Sequence, residues 1–532
     1  MDNNTTSTPI PNNTKREYTA SESVFAWISL VLGYLFCRAF PAASNPMGAF
    51  LFIVLITLVT AVILALNKAP FGLISICSAL SCIAFSAALI ITENSFIHFF
   101  AYLYCLMAYC FFVYTAWGNY EKRTFAALFP LEWFVCLFKA PFKSFSAIGS
   151  GLSANGKINA KPILKAILGI TLTIIPTYII MLLLSYDSDF ASLTEKIFAF
   201  DSLKTASHIG SILFGIPVGM YIYGLFISSA DKKCKNMIDE ETVKKRRLSV
   251  QILPAITALF ATLPILFVYV LFFISQWKYY VSGFKGVLPD EISYASYARE
   301  GFFQLCTVAV INFIIIGFIR VFLHRKSEKP SAIERIISTL FSLSTLILIS
   351  TAMAKMAMYI DIYGLTQKRV YATWFMIVLG VLFVLILIEQ LAPKFPFVFI
   401  SVLTVIVLFA ALVFAQPDKL IADYNTDRYI DGSLETVDIS LLSSLKYNAV
   451  PAMVRLVKHM DEQNGTDYRE YYKDRHDSAY TGVYSSNYRH LCNSLEYMAH
   501  NCDTDVWSYT LVRERAEKAF SEMGLLIFEY ED

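Results

Sequence analysis

The sequence predicts an all-α fold: a polytopic α-helical membrane bundle of eleven spans, followed by a small soluble, mainly helical C-terminal domain. Three observations predict it. Between Ser23 and Gln416 the chain keeps returning to uncharged apolar runs. Each is long enough to cross a hydrocarbon core of about 30 Å, which takes roughly 20 helical residues. The runs are continuous and do not alternate, so they read as helices rather than barrel strands. Finally, only 16% of the 532 residues are charged and 56% are hydrophobic, with a mean hydropathy of +0.54. Soluble domains carry about a quarter charged residues.

The spans are expected at Ser23–Pro41, Met47–Leu66, Phe71–Ile91, Phe96–Trp117, Pro162–Tyr186, His208–Ala230, Val250–Trp277, Phe302–Leu323, Ile333–Met358, Val370–Leu391 and Phe395–Ala415. Residues 1–22 are polar, rich in Asn, Thr and Ser, and read as a disordered tail before a retained first helix. The transmembrane domain then covers residues 23–416. Phe125–Leu152 mixes aromatic residues with Lys139, Lys143, Pro130 and Pro141 and reads as an interfacial helix. Phe190, Leu193, Ile197 and Phe198 suggest a second one.

Basic residues set the expected orientation, because cytoplasmic loops carry the excess of Lys and Arg. Lys122 to Lys161, Lys232 to Arg247 and Arg325 to Lys329 hold the bases. The alternate loops are poor in them. This places the N-terminus inside and the C-terminus outside. Residues 417–532 form an acidic soluble domain, with 12 Lys and Arg against 21 Asp and Glu, net −9. On this topology the domain is extracytoplasmic. Only Gln416 to Leu420 separates it from the last span, so it should dock on the membrane face. Cys492 and Cys502 are its two cysteines, and either a disulfide or two independent thiols fit their spacing.

Three segments carry a resemblance: Tyr297-Ala-Arg-Glu-Gly-Phe-Phe-Gln-Leu305, Tyr363-Gly-Leu-Thr-Gln-Lys-Arg369, and Tyr424-Asn-Thr-Asp-Arg428 with Leu441-Leu-Ser-Ser-Leu-Lys-Tyr-Asn-Ala-Val-Pro451. Together they resemble the domain-of-unknown-function family DUF4173/DUF4153 of bacterial polytopic membrane proteins, from about Leu128 onward. The resemblance implies a bacterial plasma-membrane protein. It carries no established activity, so it transfers no catalytic residues.

The candidate site follows from topology. Arg299 and Glu300 precede the eighth span, Lys355 and Asp361 end the ninth, and Lys368 and Arg369 open the tenth. All six fall on one face as an expected charged cluster. Two roles fit them: anchoring of helix ends, or a ligand or tail-docking site. Near the opposite span ends Arg320, Arg335 and Glu389 are expected to pair with one another, with Arg320 also meeting lipid phosphate, and Asn312 and Gln304 to hydrogen-bond between helices. His98 and His208 read as interfacial packing.

No phosphate-binding GxxxxGK loop, HExxH or GxSxG motif occurs. No Cys/His cluster has metal spacing. No cofactor and no nucleic-acid partner is expected at a net charge of +2. The expected function is therefore non-enzymatic: envelope sensing, regulation or scaffolding through the extracytoplasmic domain, with the lipid bilayer and an envelope protein or lipid ligand as partners. The alternative is a transporter or flippase of a small molecule or lipid.

Overall fold

A computed structural model describes residues 16–40, 45–120, 125–154, 160–184, 187, 203–233, 245, 249–285, 302–324, 330–392, 394–474, 485–502 and 505–525. Among the described residues there is no strand, and one isolated bridge joins Leu253 to Leu323. Among the described residues ten helices are long and apolar enough to cross a membrane. Backbone in lipid must satisfy its hydrogen bonds internally, which is why the apolar runs fold this way. The chain is an all-α, multi-pass membrane protein.

The first half holds α1 (Ala20–Ala39), α2 (Pro46–Leu66), α3 (Leu73–Ser86), α4 (Ala88–Ile91), α5 (Ser95–Ala116), and the short helices α6 (Phe125–Phe134), α7 (Ala140–Lys143) and α8 (Ala147–Leu152). Two long helices follow, α9 (Ala160–Leu184) and α10 (Leu203–Ala230). The second half holds α11 (Ala255–Lys285), α12 (Phe302–Phe322), α13 (Ala332–Tyr363), α14 (Gln367–Leu391) and α15 (Phe397–Phe414). One core forms among the first-half helices and another among α11 to α14. Val413 of α15 belongs to the first core. Phe397 of α15 packs on the second, so α15 ties the halves together.

The helix at residues 20–39 starts earlier than expected. Thr19 caps it, its hydroxyl accepting from the Glu22 amide at 3.2 Å while Glu22 accepts from the Thr19 amide at 3.0 Å. Arg16 pairs with Glu22 at 2.7 Å and with Asp231 at 2.9 Å. Residues 16–22 therefore belong to the folded bundle, which corrects the disordered tail expected up to residue 22. Polar composition had suggested disorder, but these polar groups are cap and ion-pair partners.

α1 crosses α10 with unusual closeness. A Cβ on Gly33 would lie 2.0 Å from the Gly215 carbonyl oxygen, one on Gly215 2.7 Å from the Tyr34 nitrogen, and one on Gly219 2.6 Å from the Ser29 carbonyl oxygen. Small residues let backbones approach where lipid supplies no hydrophobic drive between helices. Gly219→Ala should therefore destabilise the bundle by about 1–3 kcal/mol in overpacking. The clash is with backbone, which cannot yield, and it outweighs the roughly 1 kcal/mol that alanine gains in helix propensity. Thermal unfolding in detergent checks this, and an unchanged midpoint would contradict it.

The expected interfacial helix at 125–152 is broken instead. Pro130 lies within α6, and a π-helical turn runs from Val135 to Lys139. Pro141 has no N–H to give the Leu137 carbonyl four residues back. The Tyr221 hydroxyl of α10 donates to that carbonyl at 2.8 Å. The second expected interfacial helix, with Phe190, Leu193, Ile197 and Phe198, lies outside the described residues.

In the second half the Tyr269 hydroxyl donates to Asn312 at 2.5 Å, and Asn312 donates to the Thr345 hydroxyl at 2.8 Å. This links α11, α12 and α13 in one interhelical chain of hydrogen bonds. Arg320 forms an ion pair with Glu389 across α12 and α14. α13 runs to Tyr363, past the expected end at Met358, because charge ends a hydropathic run without ending a helix. Gly364, at φ +71°, stops it.

The tail builds its own core from α16 (Pro417–Ile430), α17 (Ile439–Ser444), a 3₁₀ turn at Lys446–Ala449, α18 (Val450–Asn464), α19 (Tyr468–Asp474), α20 (Ser486–His500) and α21 (Leu511–Met523). Pro451 sits in the first turn of α18, where its missing N–H costs nothing. Cys492 is a buried thiol on α20 and is not bonded to Cys502. Eight further helical residues carry the chain about 12 Å beyond Cys492 before α20 ends at His500. Burial pushes this thiol up to about 12, leaving it little thiolate character.

Candidate functional site: the tail–bundle junction

Two turns on the tail side of the bundle receive the tail. One joins α4 to α5 through Thr92, Glu93 and Asn94; the other joins α13 to α14 through Gly364, Leu365 and Thr366. α15 passes into α16 almost without a linker. Gln416 takes a left-handed φ of 50° and Pro417 opens the helix. Asp418, Ile421, Ala422 and Asn425 are all buried. Their spacing puts them on one stripe of α16, a stripe holding two polar groups among the apolar ones.

Asn425 is matched to the second turn. Its Oδ1 accepts from the Leu365 amide at 2.7 Å, and its Nδ2 donates to the Leu365 carbonyl at 2.8 Å. One side chain thus satisfies both backbone groups of a buried residue, as a neighbouring strand would. A Cβ on Gly364 would meet the Asn425 Oδ1 at 2.4 Å, so glycine is required there by space as well as by φ. Leu365 itself is part of the tail's hydrophobic core, with Ile360 and Val370 packed against it.

Asp418 is 3% exposed. Asn94 Nδ2 donates to both of its carboxylate oxygens at 2.8 Å, and Gln367 Nε2 donates to one at 2.8 Å. Asn94 also caps α5 through its Oδ1, at 3.1 Å from the Ile97 amide. Burial raises the Asp418 carboxyl above its ordinary 3.8, and the Gln367 and Asn94 donors only partly offset this. A carboxylate held by amides, with no cation among its described hydrogen-bond partners, thus sits where both turns meet the tail. Its proton is bound more tightly folded than unfolded. Junction stability therefore falls as pH rises from 3.8 through the raised folded value. Asp418→Asn should remove this pH dependence. Limited proteolysis of the tail across pH 4–8 tests this, and equal pH slopes for both proteins would refute it.

Glu93 completes the contact. Arg513 Nε donates to it at 2.6 Å and the Thr510 hydroxyl at 3.2 Å, with Arg513 stacked 5.2 Å from the Tyr447 ring. The ion pair is mostly buried, with side chains 17% and 12% exposed. An acidic bundle turn thus grips a basic residue of the acidic tail. Trp507 of the tail, with Arg38 and Asn45, lines a cavity of about 600 Å³ at the ends of α1 and α2.

The expected charged cluster distributes as follows. Arg299 and Glu300 lie outside the described residues. Lys355 lies two turns before the end of α13, and Lys368 is exposed on the first turn of α14. Arg369 donates to the Tyr363 and Gly364 carbonyls at 2.9 and 2.5 Å and covers the Tyr359 ring at 4.0 Å, closing the turn. Asp361 pairs at 3.3 Å with Arg428 from the tail. Arg428 also donates to the Asp361 carbonyl at 2.7 Å. The charges thus frame the turn, while Asn94, Leu365, Gln367, Asp418, Asn425 and Arg513 make the joint. Sequence reasoning passed over those six, although the two quoted segments around Leu365 and Asn425 contain three of them.

Elsewhere His98 Nε2 lies 2.5 Å from the Thr92 carbonyl, and His208 Nδ1 2.7 Å from the Tyr34 hydroxyl. Among the described residues no group of three or more His, Cys, Asp or Glu is arranged to hold a metal ion.

No curated protein and no solved structure matches the chain. A family model described as Domain of unknown function (DUF4153) matches residues 79–456. The match begins within α3, earlier than the resemblance read from sequence, and ends in α18. It includes both bundle turns and the α16 stripe that joins them. Covering well over half of its length, this match makes the chain a member of the DUF4153 family.

Proposed function

We propose that this chain is a non-enzymatic regulator or scaffold of the bacterial plasma membrane. Its tail, on the extracytoplasmic side, engages an envelope partner, and the event passes to the spans through the two turns. The observation that carries this reading is the Asn425–Leu365 pairing. It makes the α13–α14 turn part of the tail's own core. A domain that merely hung from the last span would need no such joint. Packed cores shift between discrete arrangements rather than deforming smoothly, so displacement of α16 must reach α13 and α14. The basic loops support the orientation.

The test uses the full chain in nanodiscs and an antibody fragment raised against the exposed face of α20. Binding should change amide exchange at residues 92–98 and 360–370. Exchange there that is identical with and without the fragment would defeat the proposal. A reporter active only outside the cytoplasm, fused after Asp532, tests the orientation. It should be active, and activity of a cytoplasmic-type reporter instead would reverse it.

A further inference from the structure

A cavity of about 610 Å³ lies within the first half of the bundle. This falls in the range of about 300–1,000 Å³ typical of ligand sites. α1, α2, α5 and α10 wall it, and Phe142 and Phe145 of the broken segment also line it. Its inner wall is buried and apolar, including Phe52, Ile53 and Ile56 of α2. Its outer rim is the lipid-facing stripe of α5, where Phe99, Leu103 and Leu106 are 64%, 41% and 45% exposed. The cavity therefore opens sideways, toward lipid.

Its depth and its polar group narrow the occupant. From Phe99 to Tyr109 the lining follows α5 for about 15 Å, half of a core about 30 Å thick. That is the reach of a chain from one leaflet. Three tyrosines line it. The Tyr109 hydroxyl bonds Thr60 at 3.0 Å, and the Tyr221 hydroxyl bonds the Leu137 carbonyl at 2.8 Å. The Tyr102 hydroxyl is buried with no hydrogen-bond partner. Tyr102 packs against Phe40, the C-cap of α1, with ring centroids 5.0 Å apart, near the tail-side end of the spans. A buried hydroxyl left unmatched is costly, and an acceptor at that level would relieve it. The ester carbonyl of a glycerolipid sits at this boundary, with its alkyl chain running inward.

We propose that this cavity binds one acyl chain of an ester-linked phospholipid, entering sideways from the tail-side leaflet, with its ester carbonyl accepting from Tyr102. The site is independent of the tail's role. Its test uses the full-length protein in nanodiscs containing phosphatidylglycerol with a diazirine near the middle of one acyl chain. Peptide mapping after photolysis should concentrate label on residues 99–109 and on Phe52, Ile53 and Ile56, above the level on the exposed stripe of α2 at Leu51, Leu55 and Leu58. Ile56→Trp should fill the cavity and bring labelling of α5 down to that of the exposed stripe. Thermal unfolding controls for its folding. Tyr102→Phe keeps the cavity and removes only the hydroxyl. Ester-linked probe should label the wild type about fivefold more than its ether analogue, the value of one hydrogen bond, and this preference should vanish in Tyr102→Phe. Labelling spread evenly over all lipid-facing helices, or unchanged in a folded Ile56→Trp, would overturn the site. Equal labelling by ester and ether probes in the wild type would overturn the role of Tyr102.

Discussion

Asn425→Ala should cost the tail about 3 kcal/mol of stability and loosen it from the bundle. The substitution removes little apolar area, so its effect comes from two stranded backbone groups. The Leu365 N–H and C=O lose their partners together, each with a desolvation cost of about 1–3 kcal/mol. Water entering the gap would recover part of the loss. Asn425→Asp separates the two bonds, because it retains an acceptor for the N–H and loses the donor to the carbonyl. Its cost should lie between that of wild type and alanine. Pulse proteolysis of the tail in detergent gives both values. A loss under about 0.5 kcal/mol for Asn425→Ala, the level of an ordinary surface change, would mean that the turn is not held by this residue.

Arg513→Met should destabilise tail docking by about 2–3 kcal/mol, below the roughly 3–5 kcal/mol of a fully buried pair. The loss reflects Glu93, left mostly buried without its cation, more than the net worth of the bridge. The double variant Arg513→Met with Glu93→Gln should therefore recover much of the loss. A double-mutant cycle measures this coupling. Additive effects of the two changes would show that the residues do not depend on one another. Raised salt should weaken the wild-type contact only modestly, since screening acts weakly on buried pairs.

The spans were legible because lipid leaves the backbone no alternative to internal hydrogen bonds. Hydropathy found the helices, and errors arose where other physics sets an end. The Thr19 cap starts α1 before the apolar run, and Gly364 stops α13 after it. Pro141 was read as part of one interfacial helix, and the rescue of the Leu137 carbonyl by Tyr221 lies 84 residues away in sequence. The Gly215-Ile-Pro-Val-Gly219 spacing against Ser29 and Gly33 was a readable signal that was passed over.

The junction was half legible. Its location on one face, close to the last span, followed from topology and the short linker. Its chemistry did not, because charge drew attention to Lys355, Lys368 and Arg369. The joint is instead made by amides: Asn94, Gln367 and Asn425. A neutral amide leaves no trace in charge patterning, and its partner is a backbone group that no sequence pattern names. Two of the three segments that carried the family resemblance, those around Leu365 and Asn425, meet in space. Similarly, α20 keeps Cys492 helical through His500, a boundary that cysteine spacing alone could not supply.

The claim that the tail is one mechanical unit with the spans is tested most directly by a distance between spin labels at Lys518→Cys on α21 and Lys368→Cys on α14. Both positions are exposed, and Cys77→Ser removes the thiol that is exposed among the described residues. In nanodiscs, double electron–electron resonance should give a single narrow distance that broadens on adding Asn425→Ala. A distribution already broad in the protein with native Asn425, and unchanged by that substitution, would show a tethered domain and contradict the account.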